Sequence, residues 1–253
     1  MMEPDAPPAQ SLISHLLELR SRLLRALVAV LVCMGALLPF ANRLYALLAR
    51  PMIESLPQGA SMIATGVAAP FMVPFKFAGM LAVYLAMPYV LYQVWAFVAP
   101  GLYRRERVFA MPLLVSSVVL FYAGMAFAYF LVFPVVLGFF ASTAPAGVLV
   151  MTDVSSYLDF VLTLFLAFGV AFEVPVIVVL LVLVGFVDVA ALRQARPYVV
   201  VGAFVVGMLL TPPDMFSQTL LAVPICLLYE IGLRVADLLG RRAAARQPAN
   251  VAD

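Results

Sequence analysis

The sequence predicts an all-α, polytopic membrane protein of six transmembrane helices, the last two of them short, and three observations carry that prediction. Of the 253 residues, 66% are hydrophobic and only 11% are charged, against about a quarter charged in ordinary soluble domains. A soluble core could not hide so much apolar surface, so the solvent for most of the chain is lipid. The charges are also bunched. None occurs from Phe77 to Val94 or from Val108 to Thr152, while Arg104, Arg105, Glu106 and Arg107 stand together between those runs. Lastly, Pro and Gly concentrate where the apolar runs break, as in Pro51, Pro57, Gly59, Gly66 and Pro70.

The chain divides into a disordered tail over residues 1–10, a six-helix transmembrane domain over 11–233 and a basic cytoplasmic tail over 234–253. MMEPDAPPAQS is Pro-rich and acidic and lacks the basic n-region of a cleaved signal, so it is expected to stay on the mature protein. Residues 11–25 read as an amphipathic helix with Ser11 as N-cap and Leu12, Leu16, Leu19 and Leu23 on one stripe. His15, Glu18 and Arg22 follow at spacings of three and four, making a second, polar face. This helix runs on as the first span, 26–41. Residues 42–70 are too broken to span, although LYALLARPMI is apolar enough to lie on a membrane surface.

The second span covers 71–96, with Pro74 and Pro88 as expected kinks and Lys76 snorkelling to the headgroups. The third, 108–140, is longer than a bilayer needs. It is therefore tilted, kinked at Pro134 or projecting beyond the lipid. A turn-rich loop over 141–157 precedes the fourth span, 158–186, with Glu173 near its middle and Pro175, two residues on, supporting a local break in the helix. Two short apolar runs end the membrane domain. Tyr198–Thr211 and Met215–Tyr229 would each cover about 21–22 Å as helix, less than a hydrocarbon core of about 30 Å. Either they thin the bilayer locally or they form a re-entrant hairpin around Thr211-Pro212-Pro213-Asp214; spans in a thinned membrane are the favoured reading.

Orientation follows from the basic residues. Twelve Lys and Arg fall on the side of the termini: three before the first span, three at 104–107, two at 193–196 and four in the tail. The opposite side has only Arg43, Arg50 and Lys76. The positive-inside rule places both termini in the cytoplasm.

Groups able to do covalent chemistry are scarce. The single histidine, His15, lies outside the hydrocarbon, so no zinc site or Ser–His couple can be built in the membrane, and no Gly-rich phosphate loop occurs. An enzyme is not expected, no cofactor or metal is implied, and a net charge of +2 is too small to suggest nucleic acid. Cys33 and Cys226 both lie in apolar runs and read as small core residues. Glu173 is the costly residue. A carboxylate at bilayer depth needs a partner, a water-filled cavity or a proton, and is functional by default. Glu18 and Glu106 sit among arginines at helix ends, where neutralising a neighbour is the commoner fate. Residues adjacent on a helix do not face each other, however, which leaves Glu106 available to an external group.

Four stretches taken together change that balance. HLLELRSR at 15–22, YQVWAFVAPGLYRRER at 92–107, AFGVAFEVPV at 167–176 and RPYVVVGAFVVGMLLTPPDMFSQTLLA at 196–222 resemble the TatC family of Sec-independent (twin-arginine) protein translocase subunits. The resemblance runs in order from about Ser11 to Leu233. It implies six transmembrane helices cupped around a concave face and a multi-pass protein of the bacterial cytoplasmic (inner) membrane. It also implies recognition of folded precursors through twin-arginine signal peptides, oligomeric work with the partners TatA and TatB, and transport driven by the proton-motive force. By position, Glu18 and Glu106 resemble the acids that receive the two signal arginines. Arg20, Phe97 and Leu102 fall at the same cytoplasmic site, with Arg104 and Arg105 in a supporting role. Glu173 resembles the polar residue of the concave face. Met208, Thr211 and Gln218 resemble the TatA/TatB contact region, Pro51 belongs to the outer loop and Asp214 to the TPPD turn. The alternative reading is a proton-coupled small-molecule transporter using Glu173; the absence of an internal repeat between the halves weighs against it.

Overall fold

In hydrocarbon every backbone N–H and C=O must be satisfied within the protein, and the α-helix does this locally. The structure, a computed structural model, describes residues 8–47, 63–98, 110–143, 153–210 and 215–245, and its elements are helices. Five stretches are long and apolar enough to cross a membrane: Ser14–Leu47, Ala69–Val98, Ala110–Phe139, Val154–Leu183 and Gln218–Leu239. A sixth apolar helix, Arg196–Leu210, has 15 residues. The chain separates into two compact units, Met1–Gly101 and Leu102–Asp253.

The first unit is a pair of long helices, α1 (Pro8–Leu37) and α2 (Ala69–Val98), packed along their length. Helix α1 starts three residues before the expected Ser11 cap, inside the segment expected to be disordered. Proline is compatible with a first helical turn because its missing N–H has no partner there in any case. A 3-10 turn at Leu38–Phe40, with Pro39 in it, links α1 to further helix over 41–47. Leu16, Leu23, Leu27 and Leu31 are all more than half exposed. Such a stripe would be an aggregation hazard in water and is an ordinary lipid-facing surface in a bilayer. Pro74 and Pro88 both lie within the single continuous helix α2.

In the second unit, α3 (Ala110–Phe127) passes through a π-helical turn, Ala128–Val132, into α4 (Phe133–Thr143). The widened turn falls where Pro134 lacks an N–H for the carbonyl of Phe130 and its ring would crowd that carbonyl. The expected irregularity is thus present as a π-turn just before the proline. The fourth span is two helices, α5 (Val154–Ala171) and α6 (Val174–Leu183), interrupted at Phe172 and Glu173. Asp153 caps α5, its Oδ1 accepting from Ser156 N–H at 2.9 Å. Helix α6 ends in a Schellman motif. Gly185, at φ +70, donates to the Val182 carbonyl, and Phe186 donates to that of Leu181, each at 3.0 Å.

A short helix, α7 (Val189–Gln194), leads into α8 (Arg196–Leu210), and α9 (Met215–Ala245) closes the unit. The last apolar run is short, but the helix that carries it has 31 residues, about 46 Å at 1.5 Å per residue. It continues without a break past residue 233, where the sequence suggested a tail. The reason is tertiary. Arg196 pairs with Glu230 at 2.6 Å and Arg193 with Asp237 at 3.3 Å, while Leu233 and Ala236 join Val178, Val179, Leu192 and Tyr229 in a buried cluster. The Tyr229 hydroxyl donates to the Leu192 carbonyl at 2.7 Å, tying α9 to α7.

Close helix contacts are made at glycines. A Cβ on Gly124 would strike the Phe168 carbonyl oxygen, and one on Gly169 would lie 2.7 Å from the Phe121 ring, so α3 and α5 interlock reciprocally. A Cβ on Gly232 would lie 2.8 Å from the Pro175 Cα, which seats α9 on the start of α6. Lipid offers no hydrophobic drive between helices, so close approach at small residues carries the packing. Gly124→Ala and Gly232→Ala should each destabilise the detergent-solubilised protein by about 1–3 kcal/mol, the usual effect of overpacking. Gly202→Ala, with open space around it, should leave the melting temperature within a degree or two, or raise it. Thermal unfolding followed by circular dichroism checks all three.

Candidate functional site

At the charged end of the first unit, α1 carries His15, Glu18 and Arg22 on one polar face, as their spacing predicts. Arg22 donates twice to the same carboxylate oxygen, from Nε at 2.9 Å and from Nη2 at 2.6 Å, both to Glu18 Oε1. Among the described residues Glu18 Oε2 accepts no bond. The Glu18 side chain keeps 38% exposure, so the pair is surface-like and worth about 0–1 kcal/mol. A competing guanidinium could displace or join it at little cost. One turn earlier, the His15 ring stacks on Phe97 from the end of α2, with centroids 4.3 Å apart and planes 23° apart. The stack fixes the start of α1 against the end of α2 and puts an aromatic face beside the carboxylate's helix. Arg20 is exposed and makes no ion pair among the described residues. The sequence did not reveal the stack, since nothing local links positions 15 and 97. It did not reveal Gln93 either, which is 4% exposed with no hydrogen-bond partner for Oε1; its signal was an amide inside the uncharged run 77–94.

Leu102, Arg104, Arg105 and Glu106 lie outside the described residues, as do Pro51, Thr211 and Asp214. The proposed pairing of Glu18 with Glu106 therefore rests on the sequence.

In the second unit, Glu173 occupies the N-cap position of α6, with φ −74, ψ −15 and no side-chain capping bond. The break expected from Pro175 falls at the carboxylate itself. Its side chain is hydrogen-bonded by Ser117 of α3, a residue with no exposed surface. Glu173 Oε1 is buried and has no partner. One oxygen is thus held by a neighbouring helix and the other offers an unused acceptor. Ser117 was missed in the sequence, although a serine pair at 116–117 inside an uncharged run is a legible sign. Ser116 itself turns to the Leu113 carbonyl, at 2.8 Å.

Near the end of α8 and the start of α9, Met208 is half exposed and Gln218 half buried. A Cβ on Gly207 would touch the Gln218 backbone at 3.4 Å, so the residue before Met208 abuts Gln218. The close approach is thus between Gly207 and Gln218, with Met208 the next residue along α8. Cys33 and Cys226 are free thiols. No group of three or more His, Cys, Asp or Glu suited to a metal occurs among the described residues.

Comparison with known proteins agrees with this layout. The family profile "Sec-independent protein translocase protein (TatC)" matches residues 14–224. The chain is 64% identical over 230 residues to the Sec-independent protein translocase protein TatC of Azotobacter chroococcum mcd 1, covering 91% of this chain and 90% of that one. It is 60% identical over 224 residues to the protein of the same name from Escherichia coli strain K12, covering 88% and 87%. Among solved structures, the crystal structure described as "Twin Arginine Translocase Receptor- TatC" superposes with a TM-score of 0.79 at 36% identity, covering 88% of this chain and 98% of that one.

The Ser117–Glu173 bond gives a direct test of the buried carboxyl. Ser117→Ala should destabilise the protein by about 1–3 kcal/mol, the range for orphaning a buried polar group. In a double-mutant cycle with Glu173→Leu the two changes should couple by at least about 0.5 kcal/mol. Additive shifts in unfolding midpoint would show that the two side chains do not interact.

Proposed function

The chain belongs to the TatC family of Sec-independent protein translocase proteins, and from that premise we propose that it is the signal-reading receptor of the translocase. As a family member it is a multi-pass membrane protein and a translocase component rather than an enzyme. In this reading it sits in the bacterial cytoplasmic membrane with both termini in the cytoplasm, the side that collects twelve of its fifteen Lys and Arg. Glu18 and Glu106 accept the two consecutive arginines of a precursor's signal peptide. Arg20, Phe97 and Leu102 line the same site, and Arg104 and Arg105 support it.

The observation that carries this reading is the geometry at Glu18. Its carboxylate is partly exposed, engaged through one oxygen among the described residues, and held on a helix fixed by the His15–Phe97 stack. A carboxylate accepts a guanidinium through two parallel bonds, whereas an ammonium offers a point charge, so a twin-arginine signal can be told from a twin-lysine one. Arg22 serves as the resting partner that keeps the carboxylate aimed until a signal arrives.

The rest of the assembly follows the same reading. Met208, Thr211 and Gln218 form a contact region for TatA and TatB, Glu173 presents its unused oxygen to a polar group of a membrane partner, and TatB joins the chain in an oligomeric complex. Pro51 shapes the outer loop and Asp214 the turn between the last two helices. Transport draws on the proton-motive force, in keeping with a sequence that has no nucleotide-binding loop. The alternative, a proton-coupled solute carrier, finds no support in the family to which the chain belongs.

Titration of the purified protein, in complex with its membrane partners, with a twin-arginine signal peptide and its twin-lysine control tests this directly. The wild type should prefer the arginine peptide. Glu18→Gln and Glu106→Gln should each weaken its binding roughly tenfold or more, as expected for losing a charge-assisted bond worth about 1.5–3 kcal/mol. Unchanged binding in both variants, with the complex intact by gel filtration, would overturn the reading.

A further inference from the structure

A groove of about 520 Å³ opens at the charged end of α1, within the first unit. Its walls include Arg20, Ser21, Leu24, Arg25 and Val28 from α1 and Tyr89 from α2. Glu18 and Arg22 are not among them. Aliphatic and polar lining alternate along α1, in the order Leu17, Arg20, Ser21, Leu24, Arg25 and Val28. Arg20, Ser21 and Arg25 lie toward the end that precedes the span, and Val28 lies about 12 Å beyond Arg20 at 1.5 Å per residue. After Arg25 no charged residue occurs until Arg43, so Arg25 marks the edge of the hydrocarbon. Leu24 and Val28 are each about half exposed, at 49% and 57%. Neither Arg20 nor Arg25 forms a hydrogen bond or ion pair among the described residues, in contrast to Arg22, Arg193 and Arg196.

We propose that this groove is a binding site for an anionic phospholipid, with the phosphate between Arg20 and Arg25 and an acyl chain along Leu24 and Val28. The occupant has to be anionic because two guanidiniums without an ion pair among the described residues face the groove and no acid lines it. A guanidinium fits phosphate oxygens through two parallel bonds. The occupant has to be amphipathic because aliphatic Leu24 and Val28 adjoin the two guanidiniums in the same groove, Val28 beyond the charge edge. The Ser21 hydroxyl and the Tyr89 hydroxyl, on an interfacial ring, supply the neutral hydrogen-bonding groups that a glycerol headgroup uses. A bound lipid would also buttress α1, the least buried of the long helices.

Native mass spectrometry of the full-length protein in detergent, with equimolar phosphatidylglycerol and phosphatidylcholine, tests the site. The wild type should retain phosphatidylglycerol in preference. Arg25→Gln should lower that preference about fivefold, and the Arg20→Gln, Arg25→Gln double variant should abolish it, as expected from the usual contribution of a basic side chain at an anionic surface. Arg43→Gln, which removes the same charge from the far end of the same segment, should leave it unchanged. Equal retention of the two lipids by the wild type, or an undiminished preference in the double variant, would overturn the proposal. Inorganic phosphate should not raise the melting temperature as phosphatidylglycerol does; equal stabilisation would reduce the site to a simple anion site and overturn the lipid assignment. Should the double variant fail to fold, a photoactivatable phosphatidylglycerol on the wild type decides the matter. Crosslinks to residues 17–28 or Tyr89 support the site, and crosslinks only elsewhere refute it.

Discussion

Lipid supplies no hydrogen bonds, and that constraint sets what every part of this chain can be. It makes the elements helices and sends the arginines to their ends. It also makes each interruption informative, because an interruption frees backbone groups that something must satisfy. Among the described residues a long span departs from the α-helix at the π-turn Ala128–Val132, at the break Phe172–Glu173 and at the 3-10 turn Leu38–Phe40. Each lies at or beside a proline that the regular helix could not serve. At the second break the backbone bonds are recovered locally, with Glu173 donating to Val170 and Ile177 donating to Glu173, each within 3.0 Å.

The same solvent changes what holds the helices to one another. Apolar side chains gain nothing by leaving lipid for a protein interior that is equally apolar, so contact has to come from shape. Hence the interlock of Gly124 with Phe168 and of Gly169 with Phe121, and the seat of Gly232 on Pro175. The third of these lies one turn from Tyr229 and two residues from Glu173. The helix break, the buried carboxyl and the α6–α9 contact therefore form one construction. The Ser117 bond to Glu173 ties α3 into it. A polar group expensive to place in hydrocarbon is here a link among helices, and its remaining oxygen is the unspent part.

Charge does different work at the ends of the helices. Arg193 and Arg196 were legible only as topological anchors, yet both reach acids on α9 some 34–44 residues away and let that helix run on past its apolar stretch. Arg22 is spent within its own helix on Glu18. Arg20 and Arg25 are left facing a groove. Positive residues that look alike to the positive-inside rule thus divide into pairs between helices, a pair within one helix, and two cations that make no ion pair among the described residues.

The sequence by itself determined the solvent, the helical class, the approximate spans, the family through four spaced motifs, and the break beside Glu173. These follow from local composition, from the fixed geometry of proline, and from the cost of charge in hydrocarbon. Only the tertiary structure decided that Glu173 meets Ser117, that His15 lies flat on Phe97, that α9 outlasts its apolar run, and that Arg20 and Arg25 share a groove with Tyr89. Each of these joins residues far apart in the chain, or depends on which way one face of a helix points. Periodicity assigns residues to a face but cannot say what that face meets, because the answer lies in the neighbouring helix.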